Sequence, residues 1–283
     1  MISVLQEGFD YLKSRSVPEA EASSEFLLSH VVKVGRAQIQ GGLIAPISPA
    51  EKKKFLALIR RRARRQPLAY VTGSQPFLDL KLLCGPGVLI PRPETEELVF
   101  KVFKSFEGRE RENLLFLDVG AGTGAISISL AHYFKKARVF AMEKSVRAKN
   151  WMRKNLSLYP EEARRISLIH KNMLQSWGLG RLKFDMIVSN PPYIPSSEIK
   201  RLELEVLREP RMALDGGPDG LRYLRRIFSQ AMEYLKPKGI AIAEIGFGQG
   251  AEMRKIMKKA GFERAEVQCD SAGIPRFAIA QKE

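Results

Sequence analysis

The chain has 283 residues, 45% of them hydrophobic and 28% charged, a balance that suits one large globular domain or two ordinary ones. No apolar run approaches the ~20 residues of a membrane-spanning helix, and the opening MISVLQEGFDYLK carries Glu7 and Asp10 rather than the pattern of a secretory signal. Two cysteines (Cys84, Cys269) and three scattered histidines (His30, His132, His170) form neither a disulfide framework nor a zinc site, and no metal is expected; the net charge of +16 suits an acidic partner or reflects only a basic proteome.

Apolar spacing predicts helices over roughly the first 70 residues. Val4, Leu5, Phe9 and Leu12 recur every three to four positions, and Ala22, Phe26, Leu27 and Val31 continue after Pro18-Glu19. Gly41-Gly42 and Pro46 break the pattern, and Ser48-Pro49 reads as an N-cap followed by proline at the first helical position. The helix that follows should bury Phe55, Leu56, Ile59 and Ala63. It carries Lys52, Lys53, Lys54, Arg60, Arg61, Arg62, Arg64 and Arg65 over residues 51–65, a solvated face, a nucleic-acid patch or a partner-docking surface. From Pro67 to Pro93 the runs are short, β-prone and broken by Gly and Pro, as in a β-hairpin linker. Strands and helices alternate from Glu94 to the closing strands AEVQC and RFAIAQ. That order means a doubly wound, mostly parallel sheet, with ligands at the carboxyl ends of its strands.

Two motifs fall at such ends. In LLFLDVGAGTGAISI, a strand reaching Asp118 runs into a turn with Gly120, Gly122 and Gly124. There the backbone must bend tightly and let a ligand approach its amides. The loop fits the dinucleotide pattern G-x-G-x-x-G/A, and it fits equally the acidic-x-G-x-G-x-G loop of enzymes that use S-adenosylmethionine; a turn with no ligand is the third reading. Glu143, closing the next strand, serves either ligand by accepting from ribose hydroxyls.

The second motif decides between them. FDMIVSNPPYIP places Asn190, Pro191, Pro192 and Tyr193 at a strand end, where a second substrate meets the cofactor. An amide nitrogen is a poor nucleophile because its lone pair is delocalised. The Asn190 side-chain oxygen and the Pro191 carbonyl can each accept one of its N–H bonds. The prolines stiffen the presenting backbone, and Tyr193 can stack on the planar group. Positioning against a sulfonium methyl then does most of the work, and no general base is evident.

With these residues in hand, the chain resembles a known family. N/D-P-P-Y is shared by enzymes that methylate adenine, cytosine and the glutamine amide. PLAYVTGSQPFLDLKLLCGPGVLIPRPETEELV (67–99), EPRMALDGGPDGL (209–221) and AEIGFGQG (243–250) are similar to blocks of the HemK/PrmC-type release-factor glutamine methyltransferases. The resemblance implies a class I S-adenosylmethionine-dependent methyltransferase fold, Rossmann-like with a mostly parallel seven-stranded sheet. It also implies a helical substrate-recognition domain over 1–73, a β-hairpin linker over 74–92 and a methyltransferase domain over 93–283. The substrate it implies is the glutamine of the Gly-Gly-Gln motif in peptide chain release factors, methylated on its side-chain nitrogen in the cytoplasm by a monomer, with no membrane and no nucleic acid required. The product is S-adenosyl-L-homocysteine. Carried over by position, Gly120, Ala121, Gly122, Thr123 and Gly124 hold the methionine part of the cofactor and Glu143 its ribose; Asn190 borders the cofactor as well. Asn190, Pro191, Pro192 and Tyr193 hold the glutamine, with Asn190, Pro191 and Tyr193 catalytic, and Arg92 and Thr95 line the cleft. Asn172 stands where the family carries an acidic residue against the adenine amino group, followed by Met173, which would pack on the adenine face. An adenine-N6 or other nucleic-acid methyltransferase with the same NPPY site is the alternative.

Overall fold

The computed structural model describes residues 2–42 and 45–283; Met1, Leu43 and Ile44 of the predicted helical stretch lie outside the described residues. The chain divides into two compact units, one of residues 1–74 with 203–208, the other of 75–202 with 209–283.

The first unit is helical: α1 (Ile2–Lys13), α2 (Ala20–Val32), α3 (Arg36–Gln40), α4 (Pro49–Ala63) and α5 (Leu68–Thr72). Leu12, Leu27, Leu28, Phe55, Ile59 and Val71 form its core. A Cβ on Gly8 would lie 2.5 Å from the Phe55 ring, so α1 can approach α4 only without a side chain there. The α4 N-terminus follows its sequence: Ser48 Oγ accepts from Glu51 N, and Glu51 Oε2 accepts from Ser48 N at 2.9 Å. Two expectations are corrected. Leu68–Thr72, read as β-prone, is a helical turn, closed by Gly73 at φ 81°. The eight cations of 51–65 are also no uniform solvated stripe. Arg62 is 6% exposed and binds Glu205 at 2.6 Å. Arg65 binds the same carboxylate at 2.7 Å, and Arg61 donates to the carbonyls of Tyr70 and Val71. Lys53, Lys54, Arg60 and Arg64 are exposed.

The second unit begins with a two-stranded pair, β1 (Ser74–Phe77) and β2 (Leu80–Leu83), then α6 (Pro93–Ser105), β3 (Leu115–Val119), α7 (Ala125–Tyr133), β4 (Arg138–Met142), α8 (Val146–Leu158), α9 (Pro160–Ala163), β5 (Ile166–Ile169) and β6 (Phe184–Ser189). After a stretch of short 3-10 turns come α10 (Arg222–Tyr234), β7 (Leu235–Glu244), α11 (Gly250–Lys259), β8 (Arg264–Cys269) and β9 (Pro275–Gln281). The seven-stranded sheet has the order β5-β4-β3-β6-β7-β9-β8. Its strands are parallel except β9, which runs antiparallel to β7 and β8. Alternation along each strand sets the two layers. Leu117, Val119 and Ile187 pack with Leu224, Phe228, Met253 and Met257 of α10 and α11, while Phe116, Met186 and Val188 pack with Leu98, Val102, Ile128 and Leu130 of α6 and α7. The fold is the class I methyltransferase arrangement expected from the sequence.

Register then places the site. Val119 lies abreast of Met142 and Asp118 abreast of Val188, while Ser189 pairs with Ala243. The residues one step further, Gly120, Glu143, Asn190 and Glu244, therefore stand side by side along one edge of the sheet. The strand order reverses between the parallel neighbours β3 and β6, with β4 and β5 added on one side and β7 on the other, and that is where such a sheet opens a crevice.

Candidate active site

That crevice is a cleft partly open to solvent. Gly120, Ala121, Gly122, Thr123, Glu143, Met173, Asn190, Pro192 and Thr95 line it; so do residues not singled out from sequence, among them Val88, Leu89, Met212 and Tyr223. The blocks 67–99 and 209–221 contain the first three of these, but only as pattern. Gly124, Pro191, Tyr193, Arg92 and Asn172 are not among its lining residues, although Pro191 and Tyr193 flank Pro192 in the same turn.

The glycine loop earns its composition at two positions. Gly120 has φ 85° and Gly122 φ 56°, both in the left-handed region that side chains disfavour, and a Cβ on Gly120 would lie 2.8 Å from Met173 Cε. Glu143 Oε2 accepts from Gly122 N at 3.0 Å and Oε1 from Ser145 N at 2.7 Å. Each oxygen keeps a second lone pair for another donor. Asp118, fully buried, accepts from Ser127 N and Oγ through Oδ2, while its Oδ1 has no partner. Burial, with Glu143 adding to it, pushes its carboxyl up to about 7. A carboxylate with spare lone pairs on the cleft wall and a loop whose glycines take left-handed φ fit a ligand that brings hydroxyl donors, as S-adenosylmethionine does.

Asn172 turns back on its own chain, where its Oδ1 accepts from Leu174 N at 3.1 Å. Met173 stays on the cleft wall, 8% exposed. Arg92 is held by the buried carboxylate of Glu209, whose Oε2 also accepts from Ile90 N at 2.8 Å. Burial raises the Glu209 carboxyl, against the pull of Arg92. The pair fixes the backbone that carries Val88 and Leu89 to the cleft.

The NPPY turn is gripped from behind. Asn190 Nδ2 donates to Thr95 Oγ1 at 2.7 Å, so Oδ1 is the end of the amide left to the cleft. Thr95 Oγ1 donates to Glu244 Oε2 at 2.8 Å, and the Tyr193 hydroxyl donates to Glu244 Oε1 at 2.9 Å. Burial first, then the charge of Glu244, holds the Tyr193 phenol well above its usual range. Gln249 Nε2 donates to Tyr193 O at 2.9 Å while its Oε1 accepts from Gly246 N. A Cβ on Gly220 would lie 2.2 Å from Tyr193 O, and one on Gly216 2.8 Å from Tyr193 Cα. Sequence reasoning missed Glu244 and Gln249, although AEIGFGQG contains both; nothing local marks a strand-end glutamate as the partner of residues 149 and 51 positions away.

The chain matches the family models "PrmC N-terminal domain" over residues 3–73 and "Methyltransferase small domain" over residues 103–217. It is 36% identical over 267 residues to the release factor glutamine methyltransferase of Geobacter sulfurreducens, covering 94% of this chain and 91% of that protein. It is also 36% identical over 283 residues to that of Moorella thermoacetica, covering 98% and 97%. Among solved structures, a methyltransferase from Pyrococcus furiosus shares the fold, with a TM-score of 0.53 at 18% identity over 72% of this chain and 90% of that one. The glycine loop, the NPPY turn and the end-to-end similarity agree: the chain belongs to the release factor glutamine methyltransferase family.

Proposed function

We propose that this chain transfers the methyl group of S-adenosyl-L-methionine to the side-chain nitrogen of the glutamine in the Gly-Gly-Gln motif of peptide chain release factors. The observation that carries the reading is Asn190. It lines the cleft beside the glycine loop, with Nδ2 committed to Thr95 and Oδ1 free to accept an amide N–H. The names of the relatives, release factor glutamine methyltransferases, support the substrate class.

The cofactor supplies an electrophilic methyl on a sulfonium sulfur. Gly120 to Gly124 would hold its methionine part and Glu143 its ribose hydroxyls, with Met173 against the adenine. Asn190 Oδ1 and the Pro191 carbonyl accept the two N–H bonds of the glutamine amide, which turns its nitrogen toward the methyl. Tyr193 packs against the amide plane. Positioning of this kind is worth several kcal/mol of barrier. We assign residues 1–73 to substrate recognition, 74–92 to the hairpin linker and 93–283 to methyl transfer. We also take the chain to act as a monomer in the cytoplasm, where a release factor substrate would be met. Among the described residues no helix is long and apolar enough to cross a membrane, and no group of His, Cys, Asp and Glu could hold a metal ion.

The +16 charge favours one rival, methylation of a nucleic-acid base at the same turn. Incubation with labelled cofactor and either release factor or total nucleic acid separates them. Label on the Gly-Gly-Gln glutamine, located by proteolysis, is expected; label on nucleic acid alone would refute the reading.

A further inference from the structure

The hydrogen bonds behind Asn190 have a direction, and Glu244 sets it. Glu244 is 1% exposed and accepts the Tyr193 hydroxyl on one oxygen and the Thr95 hydroxyl on the other. An ionised carboxylate only accepts, so both hydroxyls must spend their single proton on it. Thr95 Oγ1 can then only accept from Asn190, and it must meet Nδ2 rather than Oδ1. The charge at position 244 thus decides, two hydrogen bonds away, which end of the Asn190 amide is turned to the cleft. We infer that Glu244 is a positioning residue for methyl transfer: through Thr95 it holds Asn190 with its oxygen toward the incoming amide, and through the Tyr193 hydroxyl it holds the ring in place. The inference rests on the glutamine substrate proposed above.

Neutralising Glu244 undoes this. A carboxylic acid or amide there presents a donor, which a hydroxyl must accept. If Thr95 accepts, its own proton turns to Asn190 and draws Oδ1 inward, and the Nδ2 donors are left facing a substrate that itself brings N–H groups. Buried polar networks of this kind are all-or-none in their satisfaction. The charged and titratable groups around Glu244 are Tyr193 from the NPPY turn, Glu94 from α6 and Arg276 from β9. Burial dominates and pushes the carboxyl up to about 7, with Glu94 adding to the rise and the hydrogen bonds from Thr95 and Tyr193 and the charge of Arg276 opposing it. The productive orientation therefore belongs to the alkaline side of neutrality.

The test compares wild type with Glu244→Gln, Thr95→Val and the double variant, on intact release factor, from about pH 6 to 9. Cofactor affinity by calorimetry and melting temperature are measured beside turnover. Glu244→Gln is expected to lower kcat by at least about tenfold at the alkaline end, with cofactor Kd within threefold of wild type. The acid limb of wild-type kcat, with its midpoint near 7, should vanish in this variant. Thr95→Val should lose no more than Glu244→Gln, which also releases the Tyr193 hydroxyl, and the double variant no more than Glu244→Gln alone, because the arm to Asn190 is then cut twice. Thr95→Val keeps the side-chain volume and serves alone if the Glu244→Gln chain does not fold. Retained turnover with an unchanged acid limb in Glu244→Gln, or losses that multiply in the double variant, would overturn the relay. A readout independent of the substrate is the Asn190 side-chain amide signal in heteronuclear NMR, assigned by its loss in Asn190→Ala. It should titrate near neutrality in wild type and not in Glu244→Gln. A protein that shows this titration yet methylates no release factor would overturn the substrate and leave the relay standing; absence of the titration would overturn the relay itself.

Discussion

Glu205 lies between two guanidinium groups of the helical unit, and replacing it with glutamine should loosen that whole unit. Its Oε1 accepts from Arg62 Nη1 at 2.6 Å and from Arg65 Nε at 2.7 Å, and its Oε2 from Arg65 Nη2 at 2.7 Å. The Arg62 side chain is 7% exposed and that of Glu205 13%. Glu205→Gln keeps the shape and removes the charge, leaving Arg62 almost out of water without a counter-ion. Removing one partner of a fully buried pair costs about 3–5 kcal/mol. A second route gives a similar figure. Burial opposes ionisation of Glu205, but the hydrogen bonds from Arg65 and Arg62 outweigh it and hold the carboxyl down at about 2 from 4.5. At 1.36 kcal/mol per unit that is roughly 3 kcal/mol before screening, and about 2 kcal/mol once the partial exposure of the site is allowed for. A loss of about 2 kcal/mol should speed hydrogen exchange of the slowest amides in α2 and α4 by roughly 30-fold at neutral pH. The sign with pH follows from the depressed value. The stabilisation is fully present above about 4.5 and disappears as pH falls toward 2, so wild type and variant should converge in acid. Exchange in α2 and α4 unchanged within threefold, with acceleration confined to residues 203–208, would refute the reasoning. The ion pair would then be a local surface contact.

The remaining predictions concern the cleft and the basic helix. Asn190→Ala should cost at least a hundredfold in kcat, about 2.7 kcal/mol of barrier, while cofactor affinity measured by calorimetry stays within a few fold; near-normal turnover would remove Asn190 from the mechanism. Glu143→Ala should weaken cofactor binding by about 1.5–3 kcal/mol, the range for hydrogen bonds to a charged group, and loss of its bond to Gly122 N should leave the glycine loop less protected from exchange. Gly220→Ala puts a methyl 2.2 Å from a backbone oxygen at φ 75°, so neither partner can yield cheaply; a lower melting temperature and lost turnover are expected, and a normal enzyme would mean the NPPY turn is not gripped from behind. Reversing Lys53, Lys54, Arg60 and Arg64 to Glu should raise KM for intact release factor and flatten its salt dependence; Arg61, Arg62 and Arg65 are left alone because they hold the unit together.

Much of this protein was readable without coordinates, for reasons that differ by element. Periodicity and punctuation exposed the alternating strands and helices, because a strand buried on both faces is apolar throughout and each loop needs Gly or Pro. The Ser48–Glu51 cap is local chemistry, settled by residues three apart. GAGTGA and NPPY announced themselves for the same reason: the backbone demands of a tight turn are met by the residues of that turn. Where local signals conflicted, as at Leu68–Thr72, β-prone side chains were overruled by burial of Ala69, Tyr70 and Val71. What sequence could not supply is any relation between distant strand ends. Glu244, Thr95, Tyr193 and Asn190 become one network only because β6 and β7 are paired in one register and α6 packs beside them. The glycines at 216, 220 and 246 look like ordinary loop residues until the Tyr193 backbone and ring are laid against them. Likewise the eight cations of residues 51–65 looked alike, and only packing separated those that bind Glu205 and the carbonyls of α5 from those left in water. Charge and propensity are properties of a residue; hydrogen-bond direction and desolvation are properties of its neighbours, and the tertiary fold alone chooses those.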